Sequence, residues 1–286
     1  MARQLLIIGG TGQLGNAVHH EFRSSDWEVS VPLRSEFDVE EEEVDIARKI
    51  HELRPDVVVN CAWLPVIDCD NDPERAYRVN ALGAYAVAKG SRLIGATTVY
   101  ISTDFVFDGA NQEGFAESDC PSPLNVYGAS KLSGEQLTAI GNPRYFVVRT
   151  SALFGVTDKP FGNFVLKMKA RAEAGQMTTV VNDQSTRPTF AEDIAPIIRR
   201  MIERPIPFGV YHMTNSGVAT WYDFAKRVFD KSGRSHLVLP IQTATEASAI
   251  IRPRYSVLRA DRLRTLGFPD APTWEDALAR YLRLVS

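Results

Sequence analysis

The sequence predicts a doubly wound α/β protein, a parallel sheet with helices on both faces, followed by a smaller C-terminal α/β lobe. Two observations carry this expectation. Through the first 150 residues apolar runs alternate with helical patterns, and the runs are apolar throughout, as strands buried on both faces require. A glycine-rich turn also follows the first run directly and opens the first helix.

The strand-like runs are LLIIG (5–9), WEVSVPL (27–33), DVVVNCA (56–62), TTVYIST (97–103) and RYFVVRT (144–150). The helical patterns between them span 13–23, 42–53, 74–95 and 126–140. Beyond residue 150 the rhythm loosens. Prolines at 160, 188, 196, 205, 207, 240, 253, 269 and 272 punctuate shorter elements, with helices expected at 161–174, 191–203, 220–232 and 273–284. Residues 1–150 are read as the first domain and 151–286 as mainly the second lobe, with the chain free to cross back.

Composition excludes several classes of function. A 44% hydrophobic chain of 286 residues can bury a sizeable core. Its formal net charge of -3, with Lys and Arg dispersed, argues against a nucleic-acid or membrane-surface partner. Cys61, Cys69 and Cys120 fit neither a disulfide framework nor a zinc spacing, and Cys61 in its apolar run reads as a small buried hydrophobe. The five histidines have no metal-ligand spacing either, so no metal site is assigned. MARQLLIIGG reads as a first strand, not a signal peptide or a membrane span, and a reduced, cytoplasmic setting is the default expectation.

Residues 9–15 read GGTGQLG, so Gly9, Gly12 and Gly15 form G-x-x-G-x-x-G between strand and helix. Glycines there permit a tight turn, close backbone approach to a pyrophosphate and close helix–strand packing, with the phosphates at the helix N-terminus. The tip after the second strand, PLRSEFD, should meet the adenine ribose. Arg34 suits a 2′-phosphate and favours NADPH, while Glu36 and Asp38 keep NADH open.

The fourth strand ends in YISTDFVFDG, which puts Ser102, Thr103 and Asp104 at the carboxyl end of a parallel strand, where ligands bind in such sheets. YGASK follows at 127–131, placing Tyr127 and Lys131 on one helix face. An ammonium near a phenol favours the phenolate, so Tyr127 becomes a candidate proton carrier.

This ordered set resembles the extended short-chain dehydrogenase/reductase family, whose nucleotide-binding domain is a Rossmann fold. ISTDFVFDG, PLNVYGASKLSGE, RTSALFG, NDQSTRPT and TWYDFA are similar, over nearly the full length, to the branch containing the dTDP-4-dehydrorhamnose reductases. The resemblance implies Tyr127 as general acid/base, Lys131 as the residue that tunes it and holds the nicotinamide ribose, and Thr103 on the reacting oxygen. It places Gly12, Gln13 and Leu14 on the pyrophosphate, Asp38 and Val39 on the adenine side, and Trp63, Leu64 and Pro65 in the loop beside the cofactor. It implies reduction of the 4-keto group of a 6-deoxy sugar nucleotide, foremost dTDP-4-dehydrorhamnose to dTDP-L-rhamnose, in a homodimer in some members. Mg²⁺ enters only as a family trait.

Two departures stand out: CAWLP at 61–65 replaces the usual alanine run and threonine, and Ala152 stands where the reductases carry a tryptophan. Asp104, Asn163, Arg252 and Arg254 are candidate substrate contacts, the arginines as phosphate clamps. Trp221 reads as core. A 4,6-dehydratase would want a second acid after Thr103-Asp104, where this chain has Phe105. An epimerase, or a non-catalytic NADP-binding protein like the regulatory β subunit of methionine adenosyltransferase, remains an alternative.

Overall fold

The computed structural model describes residues 2–157, 163–244 and 250–285. The first strands are β1 (Arg3–Ile8), β2 (Trp27–Ser30), β3 (Val57–Asn60), β4 (Thr97–Thr103) and β5 (Tyr145–Thr150). Short strands follow as β6 (Leu153–Phe154), β7 (Thr178–Val181), β8 (Ser185–Thr186), β9 (Thr189–Phe190), β10 (Gly209–His212), β11 (Ala219–Thr220) and β12 (Val238–Ile241). One six-stranded parallel sheet runs in the order β10-β5-β4-β3-β1-β2. The chain leaves β1 toward β2 and returns on its other side to β3, so the strand order reverses between β1 and β3. Ligand crevices form at such a switch point, outside the carboxyl ends of the strands.

Helices cover both faces. On one lie α1 (Gln13–Phe22) and, from the C-terminal half, α8 (Ala191–Glu203), which pack on each other. Their core with the sheet includes Leu14, Val18, Phe22, Ile194 and Ile198 together with Tyr211 and Met213. On the other lie α2 (Glu43–Leu53), α5 (Gly83–Leu93) and α6 (Val126–Gly141), over Leu6, Ile8, Val58 and Val87. α2 buries Ile46 and Ile50, one turn apart, and stops at Arg54 in the left-handed region.

The pattern at 74–95 resolves into α4 (Pro73–Tyr77), a π-helical turn at Arg78–Leu82, and then α5, and a further short helix, α3 (Val66–Asn71), precedes it. The run 27–33 forms a strand only to Ser30, because Pro32 has no N–H for a ladder. β10, which pairs with β5, comes from the C-terminal half.

The second lobe is built from α7 (Phe164–Glu173), α9 (Trp221–Asp230), α11 (Trp274–Leu284) and three strand pairs, β6 with β9, β7 with β12 and β8 with β11, whereas α10 (Asp261–Thr265) packs on β10 of the main sheet and puts Leu263 into that core. Its core is aromatic: Phe154, Phe190, Phe224, Trp274 and Tyr281. Trp221 packs there as expected, its ring 4.8 Å from that of Phe164. Pro160 and the first two positions of the helix expected at 161–174 lie outside the described residues. Among the described residues no helix is long and apolar enough to cross a membrane.

Candidate active site

The glycine loop lies at the switch point. Gly9 has φ +74°, and a Cβ on it would stand 3.0 Å from the backbone of Cys61 and Ala62, so the turns after β1 and β3 touch there. Gly12 is the N-cap of α1 and lacks a side chain to cover the first amides. A Cβ on Gly15 would meet Gly10 Cα and the Gly9 carbonyl at 2.6 Å, which only glycine avoids. Gln13 Oε1 is buried with no hydrogen-bond partner among the described residues, and Leu14 is core. A bare helix start, whose first amides no side chain covers, fits a dinucleotide pyrophosphate.

At the far end of this crevice Arg34 is 63% exposed and pairs with Asp38 at 2.8 Å and with Glu40. Arg75 also donates to Glu40, at 2.9 Å. Val39 is buried, its carbonyl pressed against Gly83. In the loop after β3, Trp63 is 53% exposed and Leu64 is buried. The Leu64 amide donates to Asn80 Oδ1 at 3.1 Å, and Asn80 Nδ2 donates to Ser130 Oγ at 3.0 Å. Asn80 sits in the π-helical turn, a deviation common at functional sites. RVNALG carries no signal at the level of pattern that would mark Asn80.

Tyr127, Lys131 and Thr103 come together where α6 crosses the end of β4. Asn125 caps α6 by accepting from the Gly128 amide at 2.8 Å. This sets Tyr127 in the first turn, edge-on to Trp63 (centroids 6.2 Å apart) and to Phe105 (5.8 Å). Burial pushes its phenol well above the ordinary value, and the hydrogen bond with Thr103 pulls the other way. The expected lowering by Lys131 is absent from this arrangement. Lys131 is 1% exposed, its Nζ donates to the Ile101 carbonyl at 2.5 Å, and it lies 4.0 Å from the Tyr100 ring centroid. Burial brings its own pKa down to about 7.

Asp104 is wholly buried and accepts from Thr103 Oγ1 at 3.1 Å, Thr186 Oγ1 at 3.3 Å and Ser256 Oγ at 2.5 Å. Burial raises its carboxyl to about 6 against these donors. Neither Thr186 nor Ser256 was singled out in the sequence. Their contacts draw β8 and the 251–256 stretch over the end of β4, and Asn125 Nδ2 donates to the Ile251 carbonyl at 2.8 Å. Arg252 therefore lies near the start of α6, half-buried, and burial lowers its pKa. Arg254 is exposed, and its carbonyl accepts from the Ser185 amide at 2.7 Å.

Asn163 stands apart from this group. It caps α7 by accepting from the Leu166 amide at 3.1 Å, and its amide donates to the Gly155 carbonyl and Tyr281 Oη, both at 2.9 Å. Those bonds spend its polar atoms on the second lobe's own packing, because Asn is a strong N-cap former. Ala152 has φ +40° and carries nothing beyond Cβ toward the site. The cysteines are free thiols. Among the described residues no cluster of three or more His, Cys, Asp or Glu is placed to hold a metal ion.

An NAD(P)H-dependent oxidoreductase of the extended short-chain dehydrogenase/reductase class is what these features build. Residues 3–286 match the family described as RmlD substrate binding domain, and the chain belongs to it. It is 34% identical to a dTDP-4-dehydrorhamnose reductase from Sinorhizobium fredii, covering 97% of this chain and 96% of that one. It is 32% identical to the spore coat polysaccharide biosynthesis protein SpsK of Bacillus subtilis, covering 98% and 97%. Among solved structures, dTDP-4-dehydrorhamnose reductase from Bacillus anthracis in complex with NADP superposes with a TM-score of 0.93 at 35% identity, covering 99% of both chains.

Proposed function

We propose that the protein reduces the 4-keto group of a 6-deoxy sugar nucleotide with NADPH, foremost dTDP-4-dehydrorhamnose to dTDP-L-rhamnose. The observation that carries this is the meeting of Thr103, Tyr127 and Lys131 at the end of β4, beside the glycine loop. The shared family and the relatives named as reductases of dTDP-4-dehydrorhamnose support the substrate. Phe105, edge-on to Tyr127, occupies the position where a dehydratase would want a second acid.

When bound, a nicotinamide cofactor would supply a hydride to the ketone carbon. As charge developed on the carbonyl oxygen, Thr103 and Tyr127 would donate hydrogen bonds to it and Tyr127 would deliver the proton. Burial that raises the Tyr127 pKa keeps the phenol protonated until that moment, which suits a donor in the direction of reduction. Gly12, Gln13 and Leu14 would face the pyrophosphate, and Arg34, Asp38 and Val39 the adenosine. Trp63, Leu64 and Lys131 would flank the nicotinamide ribose. Arg252, half-buried beside the start of α6, is the better placed of the two arginines for the substrate diphosphate.

The test is oxidation of NADPH in the presence of dTDP-4-dehydrorhamnose, followed by absorbance. Tyr127→Phe should lower kcat by about 10²–10⁴ with cofactor affinity nearly unchanged. Wild-type turnover in Tyr127→Phe would remove the tyrosine from the chemistry. Tight NADPH binding without any turnover of the keto sugar would favour a non-catalytic binding protein instead.

A further inference from the structure

Three side chains of α6 recur at every fourth position: Tyr127, Lys131 and Glu135. The mechanism uses the first two and leaves Glu135 without a role. Glu135 is 5% exposed and its partner Arg149, on β5, is 4% exposed. The pair is bidentate: Arg149 Nε donates to Oε1 at 2.9 Å and Nη2 to Oε2 at 2.6 Å. Ser102 Oγ adds a third bond, to Oε1 at 2.5 Å. Behind Arg149, Nη1 lies 3.4 Å from His212 Nε2, and His212 Nδ1 lies 2.9 Å from the Arg259 carbonyl. Burial pushes His212 down to about 3, so the ring is neutral, with the proton on Nδ1 donated to that carbonyl.

Buried ion pairs commonly lose in desolvation what they return in attraction, so stability alone is a weak reason for this one. Its neighbours are more telling. Ser102 lies between Ile101, whose carbonyl accepts from Lys131 Nζ, and Thr103, which meets Tyr127. The same carboxylate acts directly on Lys131 one turn away.

We infer that Glu135, held by Arg149 and Ser102, is a positioning residue for Lys131: its buried carboxylate keeps the ammonium charged and pins the strand end that the ammonium grips. The inference rests on the proposed reading of Lys131 as the group that holds the ribose and the mobile proton. Burial drives Lys131 toward the neutral amine, and Glu135 is the strongest influence opposing it. The other groups facing Lys131 are the thiols of Cys61, after β3, and Cys69, on α3, with the Tyr100 ring from β4 and Tyr127 on its own helix. Burial raises Cys61 to about 12 and Cys69 to about 11, and it raises both phenols, so all four stay neutral near pH 7. Glu135 is the one carboxylate acting on the ammonium among the described residues.

The experiment follows the Lys131 ammonium by ¹⁵N-lysine side-chain NMR against pH, with Lys131→Met identifying the signal. Glu135→Gln should lower the titration midpoint by about one unit or more. Arg149→Met, which leaves Lys131 as the cation nearest the carboxylate, should raise it. The double variant removes both members of the Glu135–Arg149 pair together and keeps the test usable if a single variant fails to fold, and its midpoint should also fall. In NADPH oxidation the alkaline limb of the kcat/KM profile should shift in the same directions. A purely structural role would lower activity in both single variants without these opposed shifts. An unmoved midpoint in the double variant, or shifts of one sign in both single variants, would overturn the inference. If the wild type does not reduce the keto sugar, the proposed substrate falls while the NMR titration still decides this point.

Discussion

Replacing Gly15 and Gly12 by alanine, one at a time, separates two functions of the glycine loop. A Cβ at Gly15 would stand 2.6 Å from Gly10 Cα and from the Gly9 carbonyl oxygen, against about 3.4 Å for ordinary contact. Both obstacles are backbone and cannot rotate aside, so α1 must move away from the turn by about 0.8 Å. Overpacking of this kind costs about 1–3 kcal/mol. At Gly12 the nearest atom is the Gly9 carbonyl oxygen at 3.3 Å, and φ -78°, ψ 168° is open to alanine. The stability lost there is about 1 kcal/mol or less, the difference between glycine and alanine at an N-cap. Yet Gly12 is the position where the backbone would approach the pyrophosphate, so its methyl group should still weaken the cofactor. Urea unfolding without cofactor and a fluorescence titration with NADPH measure the two effects. Gly15→Ala should lose both stability and affinity, whereas Gly12→Ala should lose affinity, by about tenfold (roughly 1.4 kcal/mol), with near-normal stability. Wild-type unfolding and wild-type affinity in Gly15→Ala would refute the packing argument.

Two further expectations follow from charge. Arg34→Ala should weaken NADPH by about fivefold to tenfold, about 1 kcal/mol for one exposed charge-assisted bond, and leave NADH within about twofold by the same reasoning. Equal losses for both cofactors would make Arg34 a scaffold for Asp38 and Glu40. His212 contributes stability through its depressed pKa, from 6.5 to about 3. The unfolded chain binds that proton more readily, so the contribution is present above pH 6.5 and is lost as pH falls toward 3. At pH 4.5 about 3 kcal/mol of it is gone. Asp104, raised to about 6, works in the opposite sense, gaining stability as it protonates, so the effect must be read as a difference between variants. The destabilisation by His212→Asn should therefore shrink by about 3 kcal/mol between pH 7 and 4.5 in urea unfolding. A constant difference across that range would show that His212 titrates normally.

The sequence alone determined the parts whose cause is local. Apolar runs became β1, β3, β4 and β5, GGTGQLG became the strand-to-helix turn, and YGASK became the first turns of α6, since period, propensity and glycine chemistry act over a few residues. Only the tertiary structure decided the rest. The edge strand β10 is recruited from the far half of the chain, because pairing partners distant in sequence leave no trace in a short run. The tyrosine–lysine spacing suggested a lowered phenol pKa, but burial raises the phenol, Lys131 does not lower it, and the ammonium donates to the Ile101 carbonyl. Asn163, a candidate substrate contact by sequence, caps its own helix. Thr186 and Ser256 reach Asp104 only because two distant segments fold over the end of β4, and Glu135 meets Arg149 only because α6 lies across β5. Desolvation and long-range pairing depend on what surrounds a group in space, and a one-dimensional pattern does not contain those surroundings.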